Sequence, residues 1–285
     1  MLRVLIQPST FEILPMQHNQ NPYIDIHHKF ARRKVMNQHS LLTKALDSPI
    51  VYRLPKTDTA LPDIVFVANG GLSLPRLSGP LVLLPNMKYK QRKAELPYLK
   101  AMCDTIGIPY MEYPGAEPFE GQAELKWFDG GSKAICGYGF RSTKQTFVEL
   151  NRFFKTIYGE HSPELLVVPL ISSNYYHLDV AMLEYSDSKC IVHQRAFSDT
   201  SMKKIMKFLG KENVTVIDTL DSFCLNAVVD GHNLITHRLT DPVLKPMFEK
   251  LTGCSVVQVD TSDFERSGGS VRCMTLDVHT AAARR

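Results

Sequence analysis

Residues 124–137, Glu124-Leu125-Lys126-Trp127-Phe128-Asp129-Gly130-Gly131-Ser132-Lys133-Ala134-Ile135-Cys136-Gly137, decide the fold class. Glu124 to Phe128 and Lys133 to Gly137 read as strands, and the Asp129-Gly130-Gly131 reversal between them suits antiparallel pairing with no helix interposed. His177 to Tyr185 and Cys190 to His193 read as a second hairpin across an Asp-Ser turn. Further apolar runs, each bounded by Pro, Gly, Asn, Asp or Ser, predict strands at Arg3 to Gln7, Ile64 to Ala68, Leu81 to Leu84, Leu165 to Leu170, Val214 to Ile217 and Cys254 to Val259. The helical period marks amphipathic segments at 29–46, 90–106, 143–157, 201–210 and 241–252. Strands alternating with helices make an α/β chain, and the hairpins turn it into several units of strands plus one helix. A doubly wound dinucleotide-binding sheet is disfavoured, and no G-x-G-x-x-G lies between a strand and a helix.

The 285 residues fit one large domain or two ordinary ones, but no low-complexity stretch or long linker divides them. With candidate catalytic pieces scattered from the first third to the last twenty residues, the expectation is one continuous domain over 1–285, with 280–285 as a frayed tail. Hydrophobic residues make up 44% and charged residues 22%, and no apolar run approaches the roughly 20 residues of a membrane-spanning helix. The N-terminal run Met1 to Ile6 is too short for a secretory signal. The net charge of +4 comes from 33 basic and 29 acidic residues, mixed apart from patches at Lys29, Arg32, Arg33, Lys34 and at Lys88, Lys90, Arg92, Lys93. Neither patch is interleaved with aromatics or glycines, so both read as solvated helix faces and not as a nucleic-acid surface. The six cysteines form no C-x-x-C and no compact ladder, which points to a reducing, cytoplasmic compartment with neither zinc nor disulfides. No membrane partner is expected, and a homo-oligomer is compatible with everything above.

Gly268-Gly269-Ser270-Val271-Arg272-Cys273 places a thiol after a double glycine that permits close backbone approach. Cys273 reads as a nucleophile or as a small core hydrophobe; as a nucleophile it needs positive charge to favour the thiolate. His177 and Asp179, in Tyr176-His177-Leu178-Asp179, would share one face of an extended strand, the geometry for an imidazole and a carboxylate on one ligand. The plainer reading of His177 is a histidine bonded to the backbone. Glu120 lies between Phe119 and Gly121, where a carboxylate in apolar surroundings calls for a cation, with Glu124 four residues on as its partner or an exposed strand acid. Asn69 ends the run Phe66-Val67-Ala68-Asn69 before Gly70-Gly71, at a turn where its amide meets a ligand or simply makes the turn.

Together with Asn21-Pro22-Tyr23, Asp63 to Gly71 and Gly137-Tyr138-Gly139-Phe140-Arg141-Ser142, these motifs resemble the guanidine-modifying superfamily, in order and along nearly the whole chain. That superfamily includes arginine deiminase, dimethylarginine dimethylaminohydrolase, arginine dihydrolase and the amidinotransferases. The resemblance implies a pentein fold, a five-bladed α/β propeller of ββαβ units with pseudo-five-fold symmetry. It implies Cys273 as nucleophile, His177 as general acid and base, Glu120 as a carboxylate for the guanidinium, and Asp179 as a further partner of the guanidinium or the histidine. Arg141 would bind the substrate α-carboxylate, and Asn69, Lys88, Asn21 and Glu124 complete the substrate-binding set. Lys88 stands where the family usually offers an arginine, which replaces a fork by a point charge, and Ala123-Glu124 replaces a glycine-aspartate pair.

The implied chemistry is thiolate attack on the guanidino carbon through a covalent thiouronium, with no metal or organic cofactor. The Ala-Asn-Gly context of Asn69 is closer to the arginine dihydrolase type, which yields ornithine, carbon dioxide and ammonia. Dimethylarginine hydrolysis to citrulline and dimethylamine is the alternative within the family, and a silent arginine-binding protein is the alternative outside catalysis. Residues 8–28 and 262–270 are the candidates for a mobile lid.

Overall fold

The computed structural model describes residues 1–17 and 19–280. The tail expected at 280–285 falls, apart from Thr280, outside the described residues. The Asp129-Gly130-Gly131 reversal forms as its sequence predicts, with all three residues at positive φ (50°, 63° and 83°), a conformation that glycine adopts without a Cβ clash.

The same unit recurs five times: two antiparallel strands, a helical crossover, and a third strand parallel to the second. Strand β1 (Leu2–Ile6) is followed by helix α1 (Arg32–Ala45) and β2 (Ile50–Tyr52). The second unit is β3 (Leu72–Ser73), β4 (Val82–Leu84), helices α2 (Lys90–Lys93) and α3 (Leu96–Ile106), and β5 (Tyr110–Glu112). The third is β6 (Leu125–Phe128), β7 (Lys133–Tyr138), α4 (Lys144–Tyr158) and β8 (Glu164–Pro169). After the one-turn helix α5 (Leu178–Ala181) come β9 (Met182–Glu184), β10 (Cys190–His193), α6 (Asp199–Leu209) and β11 (Val214–Ile217). The fifth set is β12 (Val228–Asp230), β13 (Asn233–His237), α7 (Leu244–Thr252) and β14 (Ser255–Val259). The short helix α8 (Ser262–Glu265) then leads to β15 (Leu276–Val278), which pairs antiparallel with β1 and so supplies the first unit's missing strand from the far end of the chain.

Helix α4 shows how a unit is held. The Thr143 side chain accepts from the Thr146 amide while Thr146 Oγ1 accepts from the Thr143 amide, a reciprocal cap that satisfies two amides left free at a helix start. Phe147, Leu150 and Phe154 recur on one face and pack with Leu125, Ala134 and Cys136 of the sheet below. Burial of each such side chain contributes about 2 kcal/mol.

Two predicted strands do not form. Ile64 to Ala68 is a buried turn leading into a 3-10 helix at Val67–Gly70, and its apolar character reflects enclosure on all sides and not a sheet position. Leu178 to Ala181 is not extended either: His177 holds the position just before α5 without a side-chain capping bond, and the strand begins only at Met182. His177 and Asp179 therefore do not share a strand face; the helical turn directs them differently. Arg92 also departs from expectation, lying in α2 but 3% exposed and not on a solvated face.

Candidate active site

The segments that precede the first strand of each unit carry the site. Asn69 comes just before β3, Glu120 before β6, His177 and Asp179 before β9, Asn226 before β12 and Cys273 before β15. These segments are stitched into a closed ring. Gln122 N donates to Gly71 O (2.9 Å), His177 meets Glu120, Asn226 Nδ2 donates to Asp179 O (3.2 Å), Arg272 N donates to Asn226 O (3.2 Å) and Ala68 N donates to Cys273 O (3.0 Å). Short irregular segments are tolerated in the interior here because their amides bond across to one another.

Glu120 is completely buried. Its Oε2 lies 2.8 Å from His177 Nε2 and 3.0 Å from Arg141 Nη1, with Asn69 Nδ2 at 3.4 Å, and its Oε1 accepts from the Lys88 amide at 3.2 Å. Burial opposes ionisation, but the Arg141 guanidinium and the bond to His177 hold this carboxyl well below the usual range. Glu124 sits behind it, accepting from the Glu120 amide at 2.9 Å, and burial together with the neighbouring Glu120 pushes it up to about 8. Glu124 is thus a protonated support for Glu120 near neutral pH. Burial lowers His177 despite the adjacent carboxylate.

Cys273 is 3% exposed. Its Sγ lies 3.1 Å from Asn226 Nδ2 and 3.5 Å from Asp179 Oδ2, and its amide donates to Asn226 Oδ1 at 3.2 Å. Burial and the Asp179 carboxylate push the thiol well up from its ordinary value. Asp179 is itself raised by burial, an effect that His177, Lys126 and Arg272 offset in part. Its other oxygen, Oδ1, is buried with no hydrogen-bond partner among the described residues, and a buried carboxylate oxygen in that position is costly unless a donor meets it. Arg272, next in sequence to Cys273, turns away to Asp277 and Glu184.

Arg141 is stacked between Tyr176 and Tyr89, its guanidinium carbon 4.7 Å and 5.0 Å from the ring centres. Its Nη1 donates to Glu120 Oε2 at 3.0 Å and its Nη2 to Gln20 O at 3.4 Å. Asn21, Lys88, Tyr89, Phe140 and Tyr176 line a cavity of about 430 Å³ beside that stack, and Lys88 Nζ donates to Phe140 O. Asn21 packs against Gly268, whose φ of 92° and 2.6 Å clearance to the Asn21 amide leave no room for a Cβ. Residues 262–270 do not form a loose lid: Asp263, Phe264 and 267–270 are buried. A cavity of about 770 Å³ elsewhere is lined by Arg3, Glu184, Arg272 and Asp277 and by none of the expected site residues. Among the described residues, no cluster of three or more His, Cys, Asp or Glu is placed to hold a metal ion.

Asn226 and Arg92 were not singled out from sequence as site residues. Asn226 stands two residues before β12, a strand that the sequence pattern did not single out.

A family model described as N,N dimethylarginine dimethylhydrolase, eukaryotic, matches residues 7–280. The chain belongs to this family. This dimethylarginine dimethylhydrolase family member is 29% identical over 263 residues to the bifunctional arginine dihydrolase/ornithine cyclodeaminase ArgZ of Synechocystis sp., covering 90% of this chain and 35% of the relative. It is 26% identical over 226 residues to the N(G),N(G)-dimethylarginine dimethylaminohydrolase of Mycobacterium tuberculosis, covering 78% of this chain and 68% of that one. A crystal structure of the substrate-bound N-terminal domain of ArgZ, described as an arginine dihydrolase from the ornithine-ammonia cycle in cyanobacteria, superposes with a TM-score of 0.82 at 25% identity, covering 96% of each chain. The family member thus spans about a third of the length of the bifunctional relatives it matches. Its mixed α/β fold is that of the guanidine-modifying superfamily.

Proposed function

We propose that the chain is a cysteine-dependent hydrolase of the guanidino group, of the arginine dihydrolase type. The observation that carries this reading is the buried, unpartnered Asp179 Oδ1 on a side chain whose Oδ2 already takes the Cys273 thiol. A guanidinium nitrogen donating to Oδ1 brings its central carbon beside Sγ and supplies the positive charge that favours the thiolate.

As the Cys273 sulfur bonds to the guanidino carbon its proton passes to His177, whose imidazolium Glu120 stabilises, and ammonia leaves when His177 delivers that proton to the departing nitrogen. Water adds to the resulting thiouronium, His177 takes its proton, and the C–S bond breaks to give a ureido product. In a dihydrolase the thiolate attacks the ureido carbon again and expels a second ammonia to leave an S-thiocarbamate on Cys273; a second water, deprotonated by His177, cleaves its C–S bond to give a carbamate that falls apart into ornithine and carbon dioxide. Lys88, at the cavity beside Arg141, supplies a cation for the substrate carboxylate, and Arg141 joins it on release from Glu120. Asn21 borders the same cavity.

Support for arginine over methylated arginine comes from the ArgZ likeness. The family model and the mycobacterial relative favour dimethylarginine as the second reading. Comparison of kcat/KM for arginine and asymmetric dimethylarginine separates them: the dihydrolase reading expects arginine to lead by at least about tenfold, and a preference for the dimethylated substrate overturns it.

We further read the five sheets, and the ring of segments that precede their first strands, as a five-bladed pentein propeller closed by the β15–β1 pairing and acting as one catalytic domain. The six unpaired cysteines support a reducing, cytoplasmic location.

A further inference from the structure

We propose that Arg92 is a positioning residue that locks the orientation of the Asn69 side-chain amide, and that this lock suits the site to a second attack on a ureido group. The inference rests on the hydrolase reading above and concerns a residue without a place in that chemistry so far.

Arg92 is buried and uses its guanidinium in several directions. Nε and Nη2 grip Glu95 Oε1 and Oε2 at 2.8 and 2.9 Å, a fork that fixes the plane of the group. Nη2 also donates to the carbonyls of Asp63 (3.2 Å) and Phe66 (3.4 Å), which pins the turn leading to Asn69. Nη1 donates to Asn69 Oδ1 at 3.0 Å. The Asn69 Nδ2 group is thereby turned toward Glu120 Oε2 at 3.4 Å and His177 Nε2 at 3.3 Å.

An amide is nearly symmetric in shape, so only its partners choose between the two orientations. Here Arg92 and Glu120 choose the same one, while His177 Nε2, whose proton goes to Glu120, is a neighbour of the amide and not its acceptor. A flip would set Asn69 Oδ1 against the Glu120 carboxylate and Nδ2 against the Arg92 guanidinium, which repels at each end.

The chemical consequence follows from donor and acceptor types. A guanidinium offers only donors, and an Asn69 whose NH₂ faces the site gives it no acceptor. A ureido group has a carbonyl oxygen, which a fixed NH₂ recognises and polarises. The locked amide therefore favours retention of the neutral intermediate for a further round over its early release.

The test compares Arg92→Lys, Asn69→Ala and the double variant with the full-length wild type, scoring ornithine and citrulline from arginine. A lysine keeps the charge but cannot grip Glu95 and hold Asn69 at once. Arg92→Lys is expected to lower kcat for ornithine about tenfold with KM within about twofold, and to raise the citrulline share. Because Arg92 acts through Asn69, the double variant should be no worse than Asn69→Ala alone. Losses that multiply, or an unchanged product ratio in Arg92→Lys, overturn the lock. Glu95→Gln, which loosens the same fork without removing the arginine, should shift the ratio the same way if Arg92→Lys proves too unstable to assay; no shift there also overturns it. A wild type that turns over neither arginine nor methylarginine defeats the hydrolase reading instead, and the lock is then read in a crystal structure of Arg92→Lys, where an unmoved Asn69 amide counts against it.

Discussion

Replacement Asp179→Asn should separate function from stability in opposite directions. In the unliganded protein Asp179 Oδ1 is buried without a partner, and the carboxyl is raised by burial more than His177, Lys126 and Arg272 can offset. Loss of one charge-assisted hydrogen bond to a desolvated guanidinium removes about 3 kcal/mol, or about 10²-fold in kcat/KM. The same change removes a carboxyl whose ionisation burial penalises, and raises Tm by a few degrees where that carboxyl is ionised. The sign with pH is fixed: a carboxyl whose folded pKa lies above its unfolded value contributes stability below the unfolded value and loses it as pH rises through the folded one. The gain in Asp179→Asn is therefore largest at alkaline pH and fades toward pH 4. Steady-state kinetics with arginine and thermal melts at pH 5, 7 and 9 read both effects. A variant within threefold of wild-type kcat/KM, or one that melts lower at every pH, refutes the assignment of Asp179 as the vacant cation partner.

His237 is pushed up to about 9 although burial opposes it, because it pairs with Asp221 at 2.8 Å and Glu265 at 3.3 Å. Its contribution, on the order of 3 kcal/mol, is complete below the unfolded value near 6.5 and is lost as pH rises through 9, so urea midpoints of wild type and His237→Asn should converge between pH 6 and pH 10. The raised Cys273 thiol should be alkylated by iodoacetamide, in peptide-resolved mass spectrometry, at a rate that still climbs at pH 9 in the unliganded protein; a plateau by pH 7 contradicts it. Gly268→Ala should lower stability by about 1–3 kcal/mol, since φ there is 92° and the new Cβ meets the Asn21 amide; an unchanged melting temperature contradicts that.

The Asp129-Gly130-Gly131 hairpin and the amphipathic helices were legible because each rests on local chemistry: a turn that needs positive φ, or one apolar face repeating every three to four residues. Ile64 to Ala68 and His177 to Ala181 were not, because β-branched and aromatic residues there answer to enclosure by other segments, and a backbone whose amides bond across the ring needs no neighbouring strand. Cys273, His177, Glu120, Asp179 and Asn69 were found as isolated motifs and do converge in space. Arg92 was hidden among surface-looking lysines because, apart from Glu95 three residues on, its buried partners, the Asn69 amide and the Asp63 and Phe66 carbonyls, come from a segment distant in sequence. Asn226 had no local signal in its own sequence, since its contacts to Asp179 and Cys273 each span 47 residues.

The most direct test of the proposed chemistry is product stoichiometry from arginine with the purified protein and its Cys273→Ser variant. The dihydrolase reading predicts about two ammonia per ornithine from the wild type and no product from the variant. Citrulline as the sole end product, dimethylamine from asymmetric dimethylarginine as the only turnover, or product that survives Cys273→Ser would contradict it.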